Sequence, residues 1–128
     1  MTSFHAVVRI DHQSAELLQF DAGHVEATKV KAHTHHTAQH GSTVRTEHEF
    51  YGQVADALAG VQEVLVVGPG TAPAAFRSYC EKHRPPVARQ ITGIEVVDHP
   101  STPQLVALAH KYFLARDRMA GVPTPTRG

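Results

Sequence analysis

The chain has 128 residues, enough for one domain with a single apolar core and no need of disulfides or a structural metal. Twelve Lys and Arg balance twelve Asp and Glu, which argues against a general affinity for polyanions or anionic membranes. No stretch approaches the roughly 20 apolar residues of a membrane span or the pattern of a signal peptide, so a cytoplasmic protein is expected.

Residues 4–10 alternate, with Phe4, Ala6, Val8 and Ile10 on one side, and predict a first strand. Asp11-His12-Gln13-Ser14 carries turn chemistry, residues 15–20 predict a second strand, Asp21-Ala22-Gly23 a tight turn and residues 24–30 a third strand. Three strands joined by short turns make an antiparallel meander.

A polar segment follows, residues 33–43, holding four of the eleven histidines: His33, His35, His36 and His40. No acid occurs between Glu26 and Glu47, while Lys29, Lys31 and Arg45 frame those histidines. The segment is therefore basic, and more so below the unperturbed imidazole pKa of about 6.5.

The period then changes. Phe50, Val54, Ala57 and Leu58 fall at helical spacing in residues 44–59, with Ser42 or Thr43 as cap, Glu47 favouring the helix dipole near the first turn, and Gly60 as the stop. Residues 64–67 form a continuous apolar run, the pattern of a strand covered on both faces. Gly68-Pro69-Gly70 leads into a helix over residues 72–83 that stops before Arg84-Pro85-Pro86. A phosphate could sit at such a turn, but Pro69 removes a donor and no lysine follows at phosphate-loop spacing, so the reading is a turn needing unusual backbone angles.

Cys80, the one cysteine, follows Phe76 and Tyr79 on a helical repeat and is read as a core residue. Arg77, Lys82, His83, Arg84 and Arg89 make a second basic zone, read as a solvated face able to touch phosphates. Residues 91–97 predict another strand, and Asp98 and His99 are read as ordering the turn after it. A last helix has Thr102 as N-cap, Pro103 at its first position and Leu105, Leu108, Ala109, Tyr112 and Phe113 on its buried face. Residues 120–128 lack periodicity and are expected to form a flexible tail beyond one domain of residues 1–119. The resulting order, β-β-β-α-β-α-β-α, predicts an α/β fold: a mixed sheet begun by an antiparallel three-strand meander, with helices covering the sheet.

Two chemistries compete for the polar segment. His33, His35, His36 and His40 can ligate zinc, nickel or copper, and a metal-dependent hydrolase or nuclease would recruit Asp11, Glu47 or Asp98. These histidines sit among Thr, Ala, Gln and Gly rather than on rigid elements, so the preferred reading is a solvated surface that faces RNA, without a cofactor.

The strand ending in Gly68-Pro69-Gly70, Ala74-Ala75-Phe76 on the next helix, and Val97-Asp98-His99-Pro100-Ser101 before the final helix resemble the middle domain of the archaeal and eukaryotic peptide-chain release factor and Pelota superfamily, in the compact bacterial version often labelled a translational machinery protein. Upstream, Arg45, Glu47-His48-Glu49-Phe50 and Val54-Ala55 follow the same order. The resemblance covers about residues 4–114 and implies a ribosomal-protein or RNase H-like translational machinery fold.

In that superfamily the segment between meander and first helix carries the Gly-Gly-Gln of peptide release. Here it reads Thr37-Ala38-Gln39-His40-Gly41. Without the two glycines the backbone shape they permit is lost, so peptide-release catalysis does not carry over onto Gln39. The resemblance instead implies a non-catalytic, translation-associated factor that binds the ribosome or structured RNA through residues 29–45, with Lys29, Lys31, His33, His35, His36, Gln39, His40 and Arg45 as contacts. The exposed edge of a meander also makes a homodimer plausible.

Overall fold

The computed structural model describes the backbone of residues 5–21, 24–32 and 42–119. The elements are β1 (His5–Ile10), β2 (Ser14–Asp21), β3 (His24–Lys31), α1 (Ser42–Ala57), β4 (Glu63–Gly68), α2 (Ala72–His83), α3 (Pro85–Gln90), β5 (Ile91–Val96) and α4 (Thr102–Met119). One five-stranded mixed sheet runs β3-β2-β1-β4-β5. β1 pairs antiparallel with β2, and β2 with β3, as the meander requires. β4 lies between β1 and β5, parallel to both.

Alternation along the central strands explains the layers. Ala6, Val8, Ile10, Val64 and Val66 point to one face, where Phe50, Val54 and Leu58 of α1, Phe76 and Cys80 of α2 and Val87 of α3 cover them. Val7, Leu65 and Val67 point to the other, against Leu105, Ala109 and Phe113 of α4. All of β1 from Ala6 to Val8, and β4 from Val64 to Val67, is fully buried. Each such Val or Leu side chain contributes about 2 kcal/mol of transfer free energy, enough to make two-sided coverage by helices the favoured arrangement. Burial pushes the Cys80 thiol up to about 12, with Arg84 pulling down and Glu81 up, which fits a core residue and not a reactive one.

The predicted order holds with one addition. Arg84-Pro85-Pro86 ends α2, but the two prolines then start the six-residue α3, whose first positions need no N–H donor and suit a fixed φ. Val87, which that turn of helix delivers to the core, was outside the expected core set. Two capping expectations are also corrected. Thr102 does not cap α4: the Ser101 hydroxyl accepts from Gln104 N (3.3 Å) while Gln104 Oε1 accepts from Ser101 N (2.8 Å), a reciprocal capping box. This pair, and not Asp98 with His99, orders the lead into α4. Nor does Glu47 serve the first turn of α1, which contains no acid. The side chains of Ser42 and Thr43, together with Phe4, Ala22, Gly23 and residues 120–128, lie outside the described residues.

Gly60 takes φ +88° after α1, as the expected stop. The Gly68-Pro69-Gly70 turn has a structural cause at each glycine. A Cβ on Gly68 would be driven into the Ile10 carbonyl oxygen, because the ends of β1 and β4 approach closely there. Gly70 has open space around it but φ +55°, the left-handed region. The two substitutions should therefore separate: Gly68→Ala is expected to cost about 3 kcal/mol through overpacking, and Gly70→Ala only about 1 kcal/mol through backbone strain. Urea midpoints for the two variants check this; equal losses would contradict it.

Candidate functional site

The parallel strands β1, β4 and β5 all end on one side of the sheet, and β3, antiparallel to β2, ends there too. The chain continues from that end into the His-rich segment and returns as α1, whose Glu47 reaches the β1–β2 turn. α2 and α4 begin after β4 and β5, so they start on the same side. This end of the sheet gathers strand carboxyl termini and helix amino termini, the usual location of function in open α/β sheets.

Three of the predicted contact residues are described. Lys29 and Lys31 are exposed on β3, opposite Glu16 and Ser14 of β2. Val30 between them packs toward the core beneath α1, so the two lysines project from the other face. Arg45 is 84% exposed on α1, with Nε 3.7 Å from Glu49 Oε2. These cations thus stand on two sides of the sheet instead of forming one patch. His33, His35, His36, Gln39 and His40 lie outside the described residues, and so does the metal reading of those histidines.

The carboxylates invoked for hydrolysis either have protein partners or stand in solvent. Asp11 is used inside its own turn: Oδ1 accepts from Gln13 N and Ser14 N, each at 2.7 Å, and Arg9 Nη1 lies 3.4 Å from Oδ2. Burial pushes its carboxyl up, but those backbone bonds, the Ser14 hydroxyl and Arg9 outweigh it and hold the group below its usual range. Glu47 Oε2 lies 3.3 Å from His12 Nδ1 and accepts from the Tyr51 hydroxyl at 3.3 Å. Burial first, then Glu47, pushes the Tyr51 phenol well above its ordinary range. Asp98 and His99 are exposed beyond β5. No group of three or more His, Cys, Asp or Glu able to hold a metal occurs among the described residues.

Two arginines of the second basic zone are held in ion pairs once folded. Arg77 pairs with Glu81 across one turn (3.5 Å), while Arg84 donates from Nε to Asp56 Oδ1 of α1 (3.0 Å). His83 and Tyr79, one turn apart on α2, meet His48 on α1, with ring centroids 4.8 Å apart between Tyr79 and His83 and 5.4 Å between His48 and Tyr79. This groove between α1 and α2 was not anticipated. Its sequence signal is the matched four-residue spacing, His48 to Gly52 and Tyr79 to His83, which only the α1–α2 packing brings face to face.

Comparison with known proteins bears on the fold. No protein-family model and no curated protein matches the sequence. Among solved structures, Pelota from Archaeoglobus fulgidus superposes with a TM-score of 0.65 at 16% identity, over 94% of this chain and 36% of that one. The archaeal translation termination factor aRF1 gives 0.60 at 12% identity, over 91% and 42%. An archaeal Pelota from a model of ribosome-bound Pelota and ABCE1 gives 0.59 at 16%, over 88% and 33%. The chain spans about a third to two-fifths of the length of these proteins, and at such identities the likeness establishes a shared fold.

Asp11 yields a pH prediction. Because its folded pKa is depressed, its charged form stabilises the fold fully above the unfolded value near 3.8, and the contribution is lost as pH falls through the folded value. Asp11→Asn is expected to cost about 1 kcal/mol at pH 7. The penalty should shrink below about pH 4, as seen in urea titrations of both proteins across pH. A penalty constant down to pH 2 would contradict the assignment.

Proposed function

We propose that this chain is a translation-associated factor that docks on the ribosome or another structured RNA through residues 29–45, in the cytoplasm and without catalysis of its own. The observation that carries the reading is positional. The His-rich segment leaves β3 and returns as α1 at the end of a sheet whose fold is shared with Pelota and aRF1, and exposed cations stand on both sides of it. Lys29, Lys31 and Arg45 supply a sequence-independent attraction for phosphates, while the imidazoles of His33, His35, His36 and His40 and the amide of Gln39 offer stacking and hydrogen bonding to unpaired bases. Their balance against the acidic remainder of the chain makes the attraction local, which favours docking in one orientation over coating of any nucleic acid.

Peptide release is not part of the proposal, since Thr37-Ala38 stands where a Gly-Gly would precede Gln39. Against the hydrolase alternative, Asp11 is engaged in its own turn and Glu47 with His12 and Tyr51.

Neutralising Lys29, Lys31 and Arg45 together to alanine tests the docking. The slope of log K against log salt for purified ribosomes is expected to fall by about 2 units, following counterion release from three lost contacts. An equal slope in wild type and variant would show that these cations do not meet phosphates.

A further inference from the structure

A groove lies between α1 and α2, and the role inferred for it rests on the RNA reading above while naming a different contact. Two hollows share one wall made by His48 and Tyr79. The first, about 710 Å³ and open to solvent, is bounded by Arg45, Gln53 and Arg84 over a floor at Gly52. The second, about 290 Å³, is bounded by Tyr51, Lys82 and His83, with Glu47, held by the Tyr51 hydroxyl, also on its wall. Each is large enough to admit a nucleobase or a ribose phosphate.

Gly52 explains how the first hollow exists. A glycine inside a helix costs roughly 1 kcal/mol against alanine, so an interior Gly marks a position where space is needed. A Cβ there would lie 3.1 Å from Tyr79 Oη and 3.5 Å from Arg84 Nη2. The space lets the phenol and the guanidinium come down onto the α1 backbone and keeps the groove open between them.

Its chemistry is aromatic and cationic together. Tyr79 and His83 are tilted to one another at 35°, and His48 stands edge-on to Tyr79 at 61°. Three cationic side chains surround these rings. Glu49 and Asp56 each hold one arginine, but through Nε alone, and a guanidinium keeps further N–H donors in its fork. Arg84 spends Nη1 on the His83 carbonyl (3.0 Å) and its Nη2 faces the groove at Gly52. Lys82 is exposed on the far side. Exposed imidazoles beside a half-buried phenol, with cationic side chains lining the same hollows, suit an unpaired nucleotide: stacking for the base, charge for the flanking phosphates.

We infer that the α1–α2 groove binds an unstacked nucleotide of single-stranded RNA, its base against Tyr79, His48 and His83 and its phosphates at Arg84 and Lys82. The helical body then grips one strand while residues 29–45 contact RNA at the end of the sheet, giving two points of attachment.

The test uses the full chain and a fluorescently labelled hexa-adenylate in an anisotropy titration at low salt, with inorganic polyphosphate as competitor. Tyr79→Ala is expected to weaken binding about tenfold or more, and His83→Ala, at an exposed position that leaves the core intact, about threefold to tenfold. Polyphosphate should compete poorly, since it offers no base. A variant with residues 33–40 replaced by Gly and Ser should keep hexa-adenylate binding, which separates this groove from the segment above. The inference is overturned if hexa-adenylate does not bind, if neither aromatic substitution weakens it, or if polyphosphate competes as well as the RNA. In the last two cases docking through residues 29–45 stands untouched.

Discussion

Burial of β1 and β4 on both faces is the constraint from which the rest follows. Val64, Leu65, Val66 and Val67 have no solvent exposure, and neither do Ala6, Val7 and Val8 beside them. A parallel pair with no polar face requires helices above and below, so α1, α2 and α3 take one side and α4 the other. Parallel strands need return connections, and those connections fix where function can sit. The carboxyl ends of β1, β4 and β5, the end of β3 and the beginnings of α1, α2 and α4 all come to one side. The described ends that flank the His-rich segment in sequence, Ala32 after β3 and Ser42 at the start of α1, lie there too.

Where periodicity and punctuation agree, the sequence was legible. The alternation from Ala6 to Ile10, the apolar run from Val64 to Val67 and the stop at Gly60 each has one physical meaning, and the structure has the same elements. The proline pair at 85–86 carries two meanings, since proline ends one helix and suits the first position of another; α3 shows the second. Ser101 and Thr102 are equally good caps by type, and the choice falls to Ser101 because the Thr102 hydroxyl donates to Glu16 (2.8 Å), the one buried charged residue among those described. That contact spans most of the chain and leaves no local trace.

The candidate surfaces divide in the same way. Lys29, Lys31 and Arg45 could be picked out as cations flanking an acid-free stretch, but their separation to two sides of the sheet depends on strand register and on α1 covering Val30. Gly68 could be recognised as a turn glycine, though the reason it cannot be alanine is the Ile10 carbonyl of another strand. The His48, Tyr79 and His83 cluster is assembled from two helices, and Gly52 has a reason only once Tyr79 and Arg84 lie over it. Local chemistry names residues; tertiary packing decides which of them act together.

The central claim is that the segment carried between β3 and α1 attaches this chain to the translation machinery. It is tested most directly by co-sedimentation of the untagged protein with ribosomes from growing and stationary cells, beside a chain whose residues 33–40 are replaced by Gly and Ser. The account predicts that the intact protein moves into the ribosomal fractions and that the replaced chain, folded to the same stability, stays in the supernatant. Equal sedimentation of both chains, or of neither, would contradict it.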